Sequence, residues 1–169
     1  MFATFVAIAL TGCSTPSNSD NSNTSNSSND NGSAPVIREI FFIDSTLSDS
    51  FQYQTYNEND PKPARRSSII VYNNNVIPDD PPYYLFIAFT DADKDINSFD
   101  ETTIPNRNMK GSNQMPSVDS YYIQPVRYST TEIPNSNINN GQYTFKFQAK
   151  DSKGNVSAEY PVTINVTIQ

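Results

Sequence analysis

The last third of the chain constrains the fold most. Tyr143, Phe145, Phe147 and Ala149 alternate with Thr144, Lys146, Gln148 and Lys150, and Val162, Ile164, Val166 and Ile168 alternate with Thr163, Asn165, Thr167 and Gln169. A period of two sends successive side chains to opposite faces of a pleated strand, so each run buries one face and wets the other. Asp151-Ser152-Lys153-Gly154-Asn155 is rich in turn formers and joins the two runs, with residues 156–160 completing the connection. Upstream, residues 83–90 form the strongest central strand, with Leu85, Ile87 and Phe89 on one side and Tyr84, Phe86 and Ala88 on the other. Further strands are expected at residues 35–43, 68–73 and 121–129, within 96–104, and as a short edge at 51–55. Residues 57–66, 78–82, 105–116 and 131–140 read as turns and loops. No segment sustains a helical period, and ten Tyr with ten Phe suit strands. Seven to eight short strands predict an all-β fold of two packed antiparallel sheets.

The N-terminal fifth cannot join that core. Residues 14–34 are nearly all Ser, Asn, Asp, Thr and Gly, with no aliphatic side chain before Ala34. Such a stretch buries too little to offset its ordering entropy and reads as a disordered tether, spanning about 25 Å as a random coil. Ahead of it lies an apolar run, Phe2 to Leu10, and then Leu10-Thr11-Gly12-Cys13. That stretch resembles a bacterial lipobox, in which small residues precede the cleavage point and a cysteine thiol carries the lipid as a thioether. Cys13 is the only cysteine, so no internal disulfide can form. The resemblance implies a lipoprotein signal peptide over 1–12, a lipidated Cys13 opening a tether over 13–34, and a folded domain over 35–169. It also implies attachment to a lipid bilayer of the bacterial cell envelope, with Ser14 after the cysteine suiting an outer membrane. The leader departs from the pattern in one respect, since no basic residue precedes Arg38.

Asn139-Asn140-Gly141-Gln142-Tyr143 resembles the tyrosine corner of immunoglobulin-like sandwiches, and Ala149-Lys150-Asp151 with Gly154-Asn155 is similar to the strand end and turn of cadherin-like bacterial surface repeats. Phe89-Thr90-Asp91-Ala92-Asp93 resembles the acidic segment of the same group. The resemblance is carried best by residues 83–169. It implies a single immunoglobulin-like antiparallel β-sandwich of about seven strands. Phe145 would stand where antibody domains place a disulfide cysteine.

The chemistry is limited by what is missing. There is no His, which excludes Ser-His and Cys-His nucleophiles, and Ser-x-x-Lys and Gly-rich phosphate loops are absent. Zinc lacks ligands. All eleven Lys and Arg lie beyond residue 34 with sixteen of the eighteen acids, a net charge of −5, which argues against nucleic acid and anionic surfaces. Asp91, Asp93 and Asp95 offer hard oxygens at alternate positions, a donor set suited to Ca²⁺. The spacing is not that of an EF-hand, because Ile96 and Thr102 stand where that loop requires Gly and Glu. The cadherin-like resemblance adds Asp151 as a fourth ligand. The same Asp residues also suit an ordinary solvated turn in which they cap backbone N–H groups. No other cofactor is expected. Tyr83-Tyr84 and Tyr121-Tyr122 each send one ring to either face of a strand and raise a protein-binding or sugar-binding surface. The expectation is a non-catalytic module contacting another envelope protein, or alternatively a carbohydrate-binding or adhesion module at the cell surface.

Overall fold

The computed structural model describes residues 32–44, 52–73, 83–104, 107–109, 114–133 and 138–169. These residues form nine strands: β1 (Val36–Ile43), β2 (Gln54–Thr55), β3 (Ser68–Val71), β4 (Tyr83–Thr90), β5 (Ile96–Glu101), β6 (Asn108–Met109), β7 (Asp119–Val126), β8 (Gly141–Asp151) and β9 (Tyr160–Ile168). One sheet has the order β1-β4-β7-β2 and the other β3-β9-β8-β5-β6. Consecutive β4 and β5 lie in different sheets, as do β7 and β8, so the chain passes repeatedly between the two sheets of a β-sandwich.

Two features go beyond the expected seven to eight antiparallel strands. The first is β6, inside the stretch expected to be a polar loop, where Met109 pairs with Phe99 and is buried. Two residues carry no periodicity, so no pattern announces them. The second is that β3 pairs with β9 in parallel. The chain reaches β3 by crossing from the first sheet to the second, and a parallel pair requires a long connection, which the intervening strands supply.

The core follows the alternation. In β8, Phe145, Phe147 and Ala149 are fully buried, and in β4 Leu85, Ile87 and Phe89 join the same cluster. Phe145 meets Phe42 of the opposite sheet edge-on at 5.7 Å between ring centroids, so an aromatic contact bridges the sheets at this point. Tyr143 is only half-buried, and among the described residues its hydroxyl has no hydrogen-bond partner. The buried hydroxyl belongs instead to Tyr128, which donates to Glu101 Oε2 at 3.2 Å. Glu101 also faces Arg107 Nε at 3.6 Å, and the Arg107 guanidinium lies 4.6 Å from the Tyr128 ring centroid.

The other face of β4 is apolar too. Tyr84, Phe86 and Ala88 form a second buried cluster with Phe41, Ile43 and Ile123, on the outside of the four-stranded sheet. A strand that is apolar on both faces needs a cover on each. The cover on the outer side is residues 56–66.

Candidate strap groove and acidic pole

Residues 56–66 cross the outer face of the first sheet from one edge to the other. They leave β2 at the β7 edge, where Gln54 is paired with Tyr121 and the Tyr56 N–H donates to the Asp119 carbonyl at 2.9 Å. They turn at Asn57–Asp60, where the Asn57 side chain accepts the Asn59 N–H at 3.0 Å. They arrive at the β1 edge, where Arg65 bridges Ile43 and the Arg66 N–H donates to the Phe42 carbonyl at 2.8 Å. Pro61 and Pro63 fix φ between these anchors and keep the strap extended.

One buried carboxylate pins the strap. A bulge between Ile37 and Glu39 shifts the β1 register so that Glu39 pairs with Ala88 and shares its outward face. Glu39, 9 % exposed, accepts the Tyr56 hydroxyl at 2.8 Å, meets Lys62 Nζ at 2.5 Å and is bonded by Arg65. Burial pushes the Glu39 carboxyl up, but the hydrogen bonds from Lys62 and Tyr56 and the charges of Lys62 and Arg65 outweigh it and hold the pKa below the ordinary value. Cations lie over the rings nearby, with the Arg65 guanidinium 4.2 Å from the Phe41 centroid and Lys62 Nζ 5.3 Å from that of Tyr56.

Between strap and sheet is a groove of about 580 Å³. Its floor is Phe86 and Tyr121, and its side is Tyr56. Phe41, Phe86 and Tyr121 make a stacked row across three strands, with centroids 4.9 and 5.1 Å apart. Diagonal cross-strand neighbours on one face reach each other when the side chains are aromatic. The rim carries Gln54, Thr55, Asn57, Asp60 and Lys62. Gln54 and Asp60 have no side-chain partner among the described residues. The volume falls in the range of small-ligand pockets, with a floor of aromatic rings and a largely polar rim.

The acidic turn after β4 lies at one pole of the sandwich, beside the β8–β9 turn. Ser152 donates its N–H to the Asp95 carbonyl at 2.8 Å and its hydroxyl to Asp95 Oδ2 at 2.7 Å. Asp91, Asp93 and Asp95 come together, each with one carboxylate oxygen within 4.8 Å of the others. Much of their capacity is already used. Asp91, 1 % exposed, accepts the Asp95 and Asp93 N–H groups at 2.8 and 3.4 Å. Asp93 Oδ2 accepts the Ser33 N–H at 2.8 Å and faces Lys153 Nζ at 3.6 Å. Asp95 Oδ1 is buried without a partner. Burial raises the Asp91 pKa, and the neighbouring charges of Asp95 and Asp93 add to the rise against the backbone N–H groups that lower it. Asp151 stands apart from this trio. Its carboxylate accepts the Lys153 and Asn155 N–H groups at 2.9 and 2.7 Å and the Asn155 amide at 2.6 Å, so it caps its own turn.

Of the four tyrosines in the two pairs, Tyr83 and Tyr122 turn into the core and Tyr84 is buried on the outer face. Tyr121 alone of the four lines the groove. Cys13 and the signal-peptide segment lie outside the described residues, as does the tether up to Asn31. The strap was missed by sequence reasoning, which saw only turn formers in residues 57–66. The one signal that pointed to it was the apolar outer face of β4, which requires a cover.

No family model and no curated protein matches the sequence. Among solved structures, the SrpA adhesin from Streptococcus sanguinis is similar at 18% identity and a TM-score of 0.32, over 68% of this chain and 61% of that one. A point mutant of the same adhesin is similar at 16% identity and a TM-score of 0.30, over 70% and 59%. The chain therefore aligns with less than two thirds of the length of those adhesins, and an overlap this shallow carries no functional argument.

Proposed function

We propose that this chain is a non-catalytic binding module of the bacterial cell envelope, held to a bilayer by lipid on Cys13 and engaging its partner through the strap groove. The observation that carries the reading is the open groove itself, with a preorganised aromatic floor and a polar rim. The sheet edges favour it over strand addition by a partner. β2 and β6 are two residues long, β3 is four, and the C-terminal end of the β1 edge is occupied at Phe42 and Ile43 by Arg66 and Arg65. The carboxylates near the groove do not favour a glycoside hydrolase. Glu39 is bound by two cations and held ionised, whereas such an enzyme needs an acid of raised pKa opposite a second carboxylate.

Two measurements test this. Cys13→Ser is expected to move the protein from the detergent phase to the aqueous phase in phase partitioning, and retention as full as that of the unaltered chain overturns the anchor. Tyr121→Ala is expected to weaken binding of the chain to isolated bacterial envelopes at least about tenfold, because the floor of the groove is lost. An unchanged isotherm for a folded variant overturns the groove.

A second reading concerns the acidic pole, where Asp95 Oδ1 is buried and unpartnered beside two further carboxylates. Ca²⁺ bridging Asp91, Asp93 and Asp95 would satisfy that oxygen and relieve the repulsion that raises Asp91. A rise in melting temperature with millimolar Ca²⁺ that Asp95→Asn abolishes supports this reading, and no rise removes it.

A further inference from the structure

We infer that the strap groove takes a neutral, pyranose-containing oligosaccharide. This rests on the reading of the groove as the binding site and names its ligand class.

The floor has the form a sugar ring needs. A pyranose presents an apolar face of axial C–H bonds, which packs flat on an aromatic ring. Tyr121 is stacked on Phe86 at 5.1 Å with only 22° between the planes, so the ring is held rigidly before any ligand arrives. Tyr56 is held as well, its hydroxyl donating to Glu39 and its ring tilted 58° to Phe86. A ligand that lies against this corner orders no side chain of the floor, which removes one of the usual costs of binding.

The rim has the chemistry that hydroxyls need. Vicinal hydroxyl groups each donate and accept, and planar amides and carboxylates match them in pairs. Among the described residues, Gln54 and Asp60 reach the groove with no partner of their own, and the Asn57 amide spends only its oxygen, on the Asn59 N–H. Polar groups at an open rim exchange water for hydroxyls at little net cost, so the rim supplies selectivity and the floor supplies affinity.

Charge selects a neutral sugar. Lys62 and Arg65 together outweigh Glu39 by one positive charge, and Asp60 on the rim balances it, so these four groups leave the groove with no net charge. The folded part of the chain is itself acidic. Sialylated, sulfated or teichoic ligands would find no net positive charge among the described groove residues to draw them in. A proline-rich peptide is the competing occupant, since aromatic grooves also take such segments. The rim argues against it, because five polar side chains surround the groove and a polyproline segment offers them few partners.

The test is a titration of the full chain, followed by calorimetry and by tyrosine fluorescence. The probes are β-1,4-linked oligosaccharides of glucose and of N-acetylglucosamine, galactose- and mannose-based oligosaccharides, a sialylated trisaccharide and a proline-rich peptide. Saturable binding of at least one neutral sugar is expected, little altered by 0.5 M salt. Tyr121→Ala is expected to weaken it at least about tenfold, Tyr121→Phe by no more than about threefold, and Gln54→Ala and Asp60→Asn by about threefold to tenfold each. Gln54 and Asp60 lie outside both buried clusters, so these two variants carry the test if Tyr121→Ala fails to fold. Failure of every neutral sugar to bind at millimolar concentration overturns the inference. So does sugar binding indifferent to all three positions, or a groove taken by the sialylated sugar or the peptide. If envelope binding still depends on Tyr121 while no sugar binds, the carbohydrate falls and the groove stands. If neither depends on it, both fall.

Discussion

Glu101 makes the stability of this domain depend on pH in a direction opposite to that of most acids. Its residue is 2 % exposed, and its carboxylate faces the Tyr128 hydroxyl at 3.2 Å and Arg107 Nε at 3.6 Å. Burial pushes its pKa from 4.5 up to about 7, against the Arg107 charge and the Tyr128 and Thr103 hydroxyls, which lower it, while the Glu132 charge adds to the rise. A folded-state pKa above the unfolded one means that the native state holds the proton more tightly between those two values. The contribution of Glu101 to stability therefore declines as pH rises from about 4.5 to about 7, and is constant above that. A rise from 4.5 to about 7 corresponds to roughly 3 kcal/mol, of which roughly 2–3 kcal/mol falls between pH 5 and pH 8. Glu101→Gln keeps the volume, removes the charge, and leaves Arg107 with the Arg127 carbonyl at 2.6 Å and Glu132 at 3.8 Å. Urea denaturation of both proteins at pH 5, 6, 7 and 8 gives the difference in stability at each pH. That difference is expected to move in favour of the glutamine variant by roughly 2–3 kcal/mol across the series. Constant effects of the substitution cancel in such a comparison, so a difference that stays flat from pH 5 to pH 8 refutes the reasoning.

Further outcomes are expected for the core, the acidic pole and the strap. Phe147→Ala removes a fully buried ring and should cost about 3–5 kcal/mol by denaturant midpoint, and Tyr128→Phe should cost about 1–3 kcal/mol because it leaves a buried carboxylate short of a donor. Tyr143→Phe should cost less than about 1 kcal/mol, since that hydroxyl has no partner among the described residues. Millimolar Ca²⁺ should raise the melting temperature in a way that Asp93→Asn reduces. Asp151→Asn should instead lower the melting temperature with and without Ca²⁺, because its carboxylate caps the β8–β9 turn, and Asp79→Asn should do neither. Glu39→Gln should loosen the strap, since Lys62 and Arg65 lose their shared anchor, with faster amide exchange at Arg66, whose N–H is bonded to the Phe42 carbonyl, as the readout.

Local pattern decided much of this domain. Alternation placed Phe145, Phe147, Val162, Ile164 and Val166 in the core, and split β4 into Leu85, Ile87 and Phe89 against Tyr84, Phe86 and Ala88. Side-chain direction in a strand depends only on residue parity, so these assignments needed no knowledge of neighbours. Turn chemistry was equally local, which is why the Asp91–Asp95 and Asp151–Asn155 turns stand where Asp, Lys and Gly placed them. Parity also determined that Tyr121 and Tyr122 part company, but not which of them meets water. That choice came from pairing with β4, which puts Tyr121 opposite Ala88 on the outer face. The division of labour among the acids was decided in three dimensions as well. Asp151 spends its oxygens within its own turn, while Ser152 of that turn reaches across to Asp95. The strap depended wholly on tertiary structure. Its course is fixed by Gln54 against Tyr121, Arg65 against Ile43 and the Glu39 anchor, and every one of these contacts joins residues more than fifteen positions apart. Periodicity and turn propensity extend over a few residues, so they could show that the outer face of β4 needed a cover, but not which segment would supply it or that a groove would remain beneath.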